Sequence, residues 1–180
     1  YEVSVVLARD EAGNVRVFPA GENRHRNGIL DVTMAPAPAS ACPREGVPMS
    51  AQEIAGRIAG KLGYVGTLGV EFFVCGGELV VNEMAPRPHN SGHYSMDACD
   101  LSQFDLQVRT LAGLPLVQPR QHSPAIMLNL LGDIWPGQGS QDGAPPWAQV
   151  LALPGTHLHL YGKSKASKGR KMGHLNITGA

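Results

Sequence analysis

Two glutamates, Glu71 and Glu83, stand in apolar runs, VEFFV and ELVVNE, that a Gly76-Gly77 pair joins. Short β-rich runs around such a pair read as the two strands of a hairpin. The segment leaving the second run, APRPHNSGH, adds Arg87, His89, Asn90, Ser91 and His93. Carboxylates are hard oxygen ligands for a divalent cation, and a guanidinium beside amide, hydroxyl and imidazole groups offers donors to an anion. A protein that holds Mg2+ on the phosphates of ATP while presenting an acid or oxyanion to them needs both sets side by side. The chemistry implied is phosphoryl transfer.

The hairpin must be irregular for this to work. A plain two-residue turn at Gly76-Gly77 would set Glu71 opposite Asn82 and send Glu83 to the other face, because strand side chains alternate. Shared metal ligation therefore requires an odd loop or a bulge. The register expected is Val74 opposite Glu78 around Cys75, Gly76 and Gly77, which adjacent glycines permit. The competing reading leaves both glutamates on the solvent face of an edge hairpin. The apolar residues flanking them favour a sheet buried on at least one face, with Phe72 and Phe73 as core residues on its two sides.

Several elements surround this hairpin. Val3, Val5 and Leu7 alternate with Ser4, Val6 and Ala8, a turn is expected over DEAGN (Asp10 to Asn14), and Val15, Val17 and Phe18 resume the strand. Pro36, Pro38, Pro43 and Pro48 mark a loop. A helix is expected from Ser50 to Leu62, with Ser50 as N-cap, Glu53 at the capping-box position, Ile54, Ile58 and Leu62 at helical spacing, and Gly63 ending it. A second helix is expected from Leu101 to Leu114, with Phe104, Val108 and Leu111 on its apolar face and Gly113 and Pro115 closing it. Beyond Pro115, short apolar runs (Ala125 to Leu131, Leu158 to Tyr161) alternate with glycine- and proline-rich turns such as Trp135 to Trp147. This divides the chain into residues 1–115 and a small, mostly β domain at 116–180.

Composition limits the partners. At 180 residues and 43% hydrophobic, the chain can bury a core without metal or disulfide staples. Fifteen basic residues balance fifteen acidic ones, so no global field argues for nucleic acid or an anionic membrane. Lys163, Lys165, Lys168, Arg170 and Lys171 nevertheless crowd one loop, without the interleaved aromatics of a single-strand nucleic-acid surface. Cys42, Cys75 and Cys99 form no CxxC arrangement, which fits a reducing, cytoplasmic setting. No apolar run is long enough for a membrane span and no signal peptide is visible. His89 and His93 follow Pro86 and Pro88 in a loop, so the helical spacing of a zinc pair does not apply. The chain opens directly within a strand pattern, YEVSVVLA, as a fragment would.

GVEFFVCGGELVVNEMAPRPHNSGHYSMDAC, with ENRHRNGIL, SQFDLQVRTLAGLPL and YGKSKASKGRKMGHLNITG, resembles in collinear order the N5-carboxyaminoimidazole ribonucleotide synthases, which are ATP-grasp enzymes of purine biosynthesis. The resemblance implies an α+β fold: the C-terminal lobe of an ATP-grasp fold, an antiparallel sheet with helices, followed by a small mostly β domain. It implies ATP- and bicarbonate-dependent carboxylation of 5-aminoimidazole ribonucleotide through carboxyphosphate. It makes Glu71 and Glu83 the Mg2+ ligands, with Asn82 beside them at the nucleotide. Glu2 takes the ATP ribose and His25 lies near the nucleotide. Arg87 faces bicarbonate, His89, Asn90 and Ser91 join it at the substrate, and Lys163 and Arg170 clamp the ribonucleotide 5'-phosphate. The partners implied are the N-terminal half of the same enzyme and a second copy in a homodimer, and the fragment is expected to be inactive alone. A formate-dependent glycinamide ribonucleotide transformylase has a similar hairpin and PRPH loop, but HNSGH rather than HDTG favours the synthase. A non-catalytic structural module is the remaining alternative.

Overall fold

The computed structural model describes residues 1–38, 47–135 and 145–179. Nine strands form one sheet: β1 (Glu2–Arg9), β2 (Val15–Val17), β3 (Gly21–Arg26), β4 (Ile29–Ala35), β5 (Gly66–Cys75), β6 (Glu78–Ala85), β7 (Ala125–Leu131), β8 (Thr156–Leu160) and β9 (Lys171–Thr178). The order is β6-β5-β1-β3-β4-β7-β9-β8, with β2 paired to β1, and the pairs are antiparallel. The turn over Asp10 to Asn14 is as expected: Asp10 accepts from the Asn14 backbone and side-chain amides at 2.8 and 2.9 Å. β7 pairs with β4 from Val32↔Leu128 to Ala35↔Ala125, which joins the strands after Pro115 to the same sheet.

Alternation along β1 and β5 builds two cores. Val3, Val5, Leu7, Leu68, Val70, Phe72 and Val74 face α1 (Val47–Lys61), whose Ala51, Ala55 and Ala59 are fully buried against them. Val6 and Ala8 face the other way, onto Tyr94, Ala98 and Leu106. These come from the Asn90–Gly92 turn region, α2 (Ser95–Ala98) and α3 (Gln103–Leu111). A last short helix, α4 (Trp147–Leu151), contacts β8.

Three helix details differ from expectation. The first helix begins at Val47, so Ser50 and Glu53 lie inside it rather than forming a capping box, and Pro48 belongs to the helix rather than the loop, where proline in the first turn is well tolerated. Its end is as read, with Gly63 in the left-handed region at φ 59°, although Leu62 points to solvent. Capping-box chemistry occurs instead at α3, where Ser102 and Asp105 satisfy each other's backbone amides. On that helix Phe104, Val108 and Leu111 are exposed, and the buried positions are Gln103 and Leu106. Phe73 is likewise 39% exposed while Phe72 is fully buried, because the face it shares with Glu71 is open near the end of the hairpin. Cys42 and Pro43 lie outside the described residues, as does most of the expected Trp135-to-Trp147 turn region; Cys75 and Cys99 are free thiols.

Candidate active site

The β5–β6 hairpin has a plain two-residue turn, Cys75 opposite Glu78, and not the three-residue loop expected. The irregularity sits further along: Phe72 pairs with Val81 and Glu71 with Glu83, so Asn82 is the extra residue. One bulged residue shifts the alternation by one, which returns Glu83 to the face of Glu71. The physical requirement was legible, and the chain meets it at Asn82 instead of at the glycines.

Register places the remaining groups. Glu2 and Ser4 share a face of β1, Ser4 pairs with Glu71, and Glu2 pairs with Asn23 on β3, two residues from His25. Glu2, His25 and Glu71, from three strands, therefore converge with their ligand atoms all within 4.8 Å of one another. His25 Nδ1 lies 2.9 Å from Glu2 Oε2. Asn23 donates to Glu71 Oε1 at 3.3 Å and accepts from Thr33 at 2.9 Å, which anchors the buried carboxylate from below.

His25 and Glu71 line a cleft of about 260 Å³ together with Glu83, Arg87, His89, Asn90, Gly169 and Lys171. Its electrostatics are those of a site short of positive charge. Burial, then the charges of Glu2 and Glu83, push the Glu71 carboxyl up to about 7, and Lys171 opposes them. Burial holds the Lys171 ammonium below its ordinary value. Burial and the Arg87 guanidinium hold the His89 imidazole down at about 4, so the 3.7 Å approach of His89 Nδ1 to Glu71 involves a neutral ring at pH 7 and is not an ion pair. Crowded hard oxygen donors with too little neutralising charge fit a divalent cation. The Asn90 side-chain Nδ2, buried without a hydrogen-bond partner, belongs to the same lining as Arg87 and Lys171, as an anion site would require.

The loop after β6 is held tightly. Arg87 Nη1 donates to the Pro88 carbonyl at 3.0 Å, and His89 Nδ1 lies 2.9 Å from the Ser91 hydroxyl. A Cβ on Gly69 would lie 2.7 Å from the His89 Cβ, so a side chain there would displace the imidazole. Of the residues selected from sequence, Glu71, Glu83, Arg87, His89, Asn90 and His25 line the cleft, and Glu2 closes on His25 and Glu71. Asn82 is exposed on the bulge, and Ser91 is buried behind His89. Lys163 and Arg170 are exposed and do not line the cleft: Lys163 donates to the Lys171 carbonyl, and Arg170 to the Lys165 carbonyl at 2.7 Å. Lys171 is the residue sequence reading missed. It lies in the basic cluster, but only its place at the start of β9 distinguishes it from its neighbours.

Comparison with known proteins agrees with this geometry. The description ATP-grasp domain matches residues 1–104, and Phosphoribosylaminoimidazole carboxylase C-terminal domain matches residues 125–180. The chain belongs to the ATP-grasp family. Within that class it is similar to the N5-carboxyaminoimidazole ribonucleotide synthase of Brucella melitensis, with 44% identity over 97% of this chain and 45% of the relative. The Bacillus subtilis protein of that name is 41% identical over 98% of this chain and 43% of the relative. The crystal structure of N5-carboxyaminoimidazole ribonucleotide synthetase from Thermus thermophilus superposes with a TM-score of 0.86 at 41% identity, over 99% of this chain and 46% of that one. The Aspergillus clavatus synthase in complex with ADP and 5-aminoimidazole ribonucleotide gives 0.84 at 32% identity, over 99% and 46%. The chain thus spans a little under half the length of these relatives.

Proposed function

We propose that this chain supplies the metal-holding and bicarbonate-facing part of an ATP-dependent ligase that carboxylates 5-aminoimidazole ribonucleotide to N5-carboxyaminoimidazole ribonucleotide. The observation that carries this reading is the pairing of Glu71 and Glu83 on one sheet face, in one cleft with Arg87, Lys171 and Asn90, whose Nδ2 lacks a partner. The names and close superposition of the relatives support it.

Glu71 and Glu83 would hold Mg2+, which when bound neutralises the phosphate charge of ATP. Glu2 and His25 take the nucleotide on the same face, with Asn82 near it at the bulge. The Arg87 fork, Lys171 and Asn90 Nδ2 orient bicarbonate, whose oxygen attacks the terminal phosphorus as the β,γ P–O bond breaks and ADP leaves, setting one anion against another. Catalysis of such a step rests on positioning and charge neutralisation. His89 is kept neutral and adds a polar contact without adding charge, and Ser91 fixes its ring. The amine of the ribonucleotide then attacks the carbon of carboxyphosphate, a C–N bond forms, the C–O bond to the phosphate breaks, and phosphate leaves with the amine's proton. Lys163 and Arg170, exposed on the loop before Lys171, take the more distant 5'-phosphate.

The free thiols Cys75 and Cys99 support a reducing, cytoplasmic setting. Among the described residues no helix is long and apolar enough to cross a membrane. A homodimer is the assembly proposed, and the exposed Phe104, Val108 and Leu111 of α3 offer an apolar face for a second copy. The full-length protein carrying this chain should release ADP only when bicarbonate and 5-aminoimidazole ribonucleotide are both present. Glu83→Ala should lower kcat/KM at least about 100-fold. Turnover with formate and glycinamide ribonucleotide, or ATP cleavage indifferent to bicarbonate, would overturn the proposal.

A further inference from the structure

Gln103, the first residue of α3, is fully buried although glutamine is ordinarily a surface residue. Its amide is completely used. Oε1 accepts the His89 backbone N–H at 2.8 Å, while Nε2 donates to the His89 carbonyl at 2.8 Å and lies 2.9 Å from His93 Nδ1. The amide orientation follows from this network, since only the nitrogen can serve the carbonyl. Gln103 thus grips both backbone groups of one residue, as a neighbouring strand would.

The grip is braced on both sides. The Gln103 backbone N–H donates to Ser95 Oγ at 3.0 Å, and Ser95 Oγ donates to the Gly92 carbonyl at 2.6 Å. A Cβ on Gly92 would come within 2.7 Å of Gln103 Oε1 and 2.8 Å of Val6 Cγ2, so the loop lies directly on the amide. His93 is stacked on Phe104, at 5.7 Å between ring centroids, and meets the tilted ring of His174 at 4.6 Å. The far end of the amide therefore meets a ring that has little room to move.

We propose that Gln103 is a positioning residue, which sets His89 against Gly69 and Glu71 and so fixes the substrate side of the cleft. The importance of that placement rests on the carboxylation reading above; the placement itself does not. Amide hydrogen exchange and NOE spectroscopy on this chain test it without any substrate. Gln103→Leu should raise the exchange rate of the His89 amide by about 100-fold and abolish the NOE between His89 Hβ and Gly69 Hα, with the amides of Val70 and Phe72 still protected. Gln103→Glu keeps an acceptor for the His89 N–H and should restore its protection to within about tenfold of the wild type. In the full-length enzyme, Gln103→Leu should raise the KM for bicarbonate and leave that for MgATP within about twofold. An unchanged His89 amide in Gln103→Leu would overturn the proposal. If that variant does not fold, Gln103→Met decides by the same reading: an unchanged His89 amide there, with Val70 and Phe72 still protected, would equally overturn it.

Discussion

Glu83 lies directly across the hairpin from Glu71 because Asn82 is the one residue that β6 carries in excess of β5. The two acids belong to one site only through this bulge. The bulge thus accommodates Asn82, exposed, without turning Glu83 away from that face.

Deleting Asn82 should restore regular pairing with Glu83 directly after Val81, hence still opposite Glu71 and on its face. The expected result is a folded chain whose melting temperature still rises with Mg2+, unlike that of Glu83→Ala. Loss of Mg2+ affinity in the deletion variant, measured by calorimetry, would contradict the pairing of the two acids on one face.

Buried titratable groups give stability a definite pH dependence. Burial, with the neighbouring Arg87, His174 and His159 charges respectively, holds His89, His93 and His174 at about 4, 3 and 4, so each takes up a proton when the chain unfolds below pH 6.5. Glu71, raised by burial from 4.5 to about 7, releases one on unfolding between those values. Three protons taken up against one released leave a net uptake of about two near pH 5, hence a loss of about 2.7 kcal/mol for each unit the pH falls. Urea melts at pH 5 and 6 check the slope. Glu71→Gln removes the opposing group, and in metal-free protein at pH 8, where the wild-type acid is ionised, it should raise stability by about 3 kcal/mol. A destabilised Glu71→Gln protein at pH 8 would contradict the electrostatic account.

Gly69→Ala should destabilise the chain by about 1–3 kcal/mol, because the added methyl meets the His89 Cβ at 2.7 Å. Gly76→Ala serves as a comparison: its Cβ would meet no atom within 4 Å, although the φ of 59° strains the backbone. Loss of the His89 ring's buried NMR shift only in the Gly69 variant would separate displacement from general weakening. An unmoved ring in Gly69→Ala would refute the close approach.

Lys171 and Lys163 should separate kinetically in the full-length protein. Lys171→Met removes the cation that lines the cleft with Glu71, Glu83 and Arg87, and kcat for the bicarbonate-dependent reaction should fall about 100-fold. Lys163→Met should chiefly raise the KM for the ribonucleotide, as expected of uniform binding. Equal effects on both parameters from the two substitutions would argue against the division of roles.

Much of this was legible in the chain. The alternation in VEFFV and ELVVNE announced the hairpin, the glycines its turn, and the need for two acids on one face announced an irregularity between them. Local chemistry carries such information because strand periodicity and turn preference are properties of a few consecutive residues. The position of the bulge was not local. Either the turn or Asn82 could absorb the extra residue, and the choice was settled by how β5 packs between β1 and β6. The apolar spacing of Phe104, Val108 and Leu111 also misled, since periodicity defines a stripe without saying which side the sheet takes. α3 instead turns Gln103 and Leu106 inward.

By itself, then, the sequence determined the strand pair, its acids, the donor-rich loop and the family to which they belong. Tertiary structure alone decided that Lys171 rather than Lys163 lines the cleft, that β7 extends the first sheet, and that a glutamine holds His89. Those are contacts between residues far apart in the chain, and only the register of the completed sheet fixes which of several chemically equivalent side chains makes them.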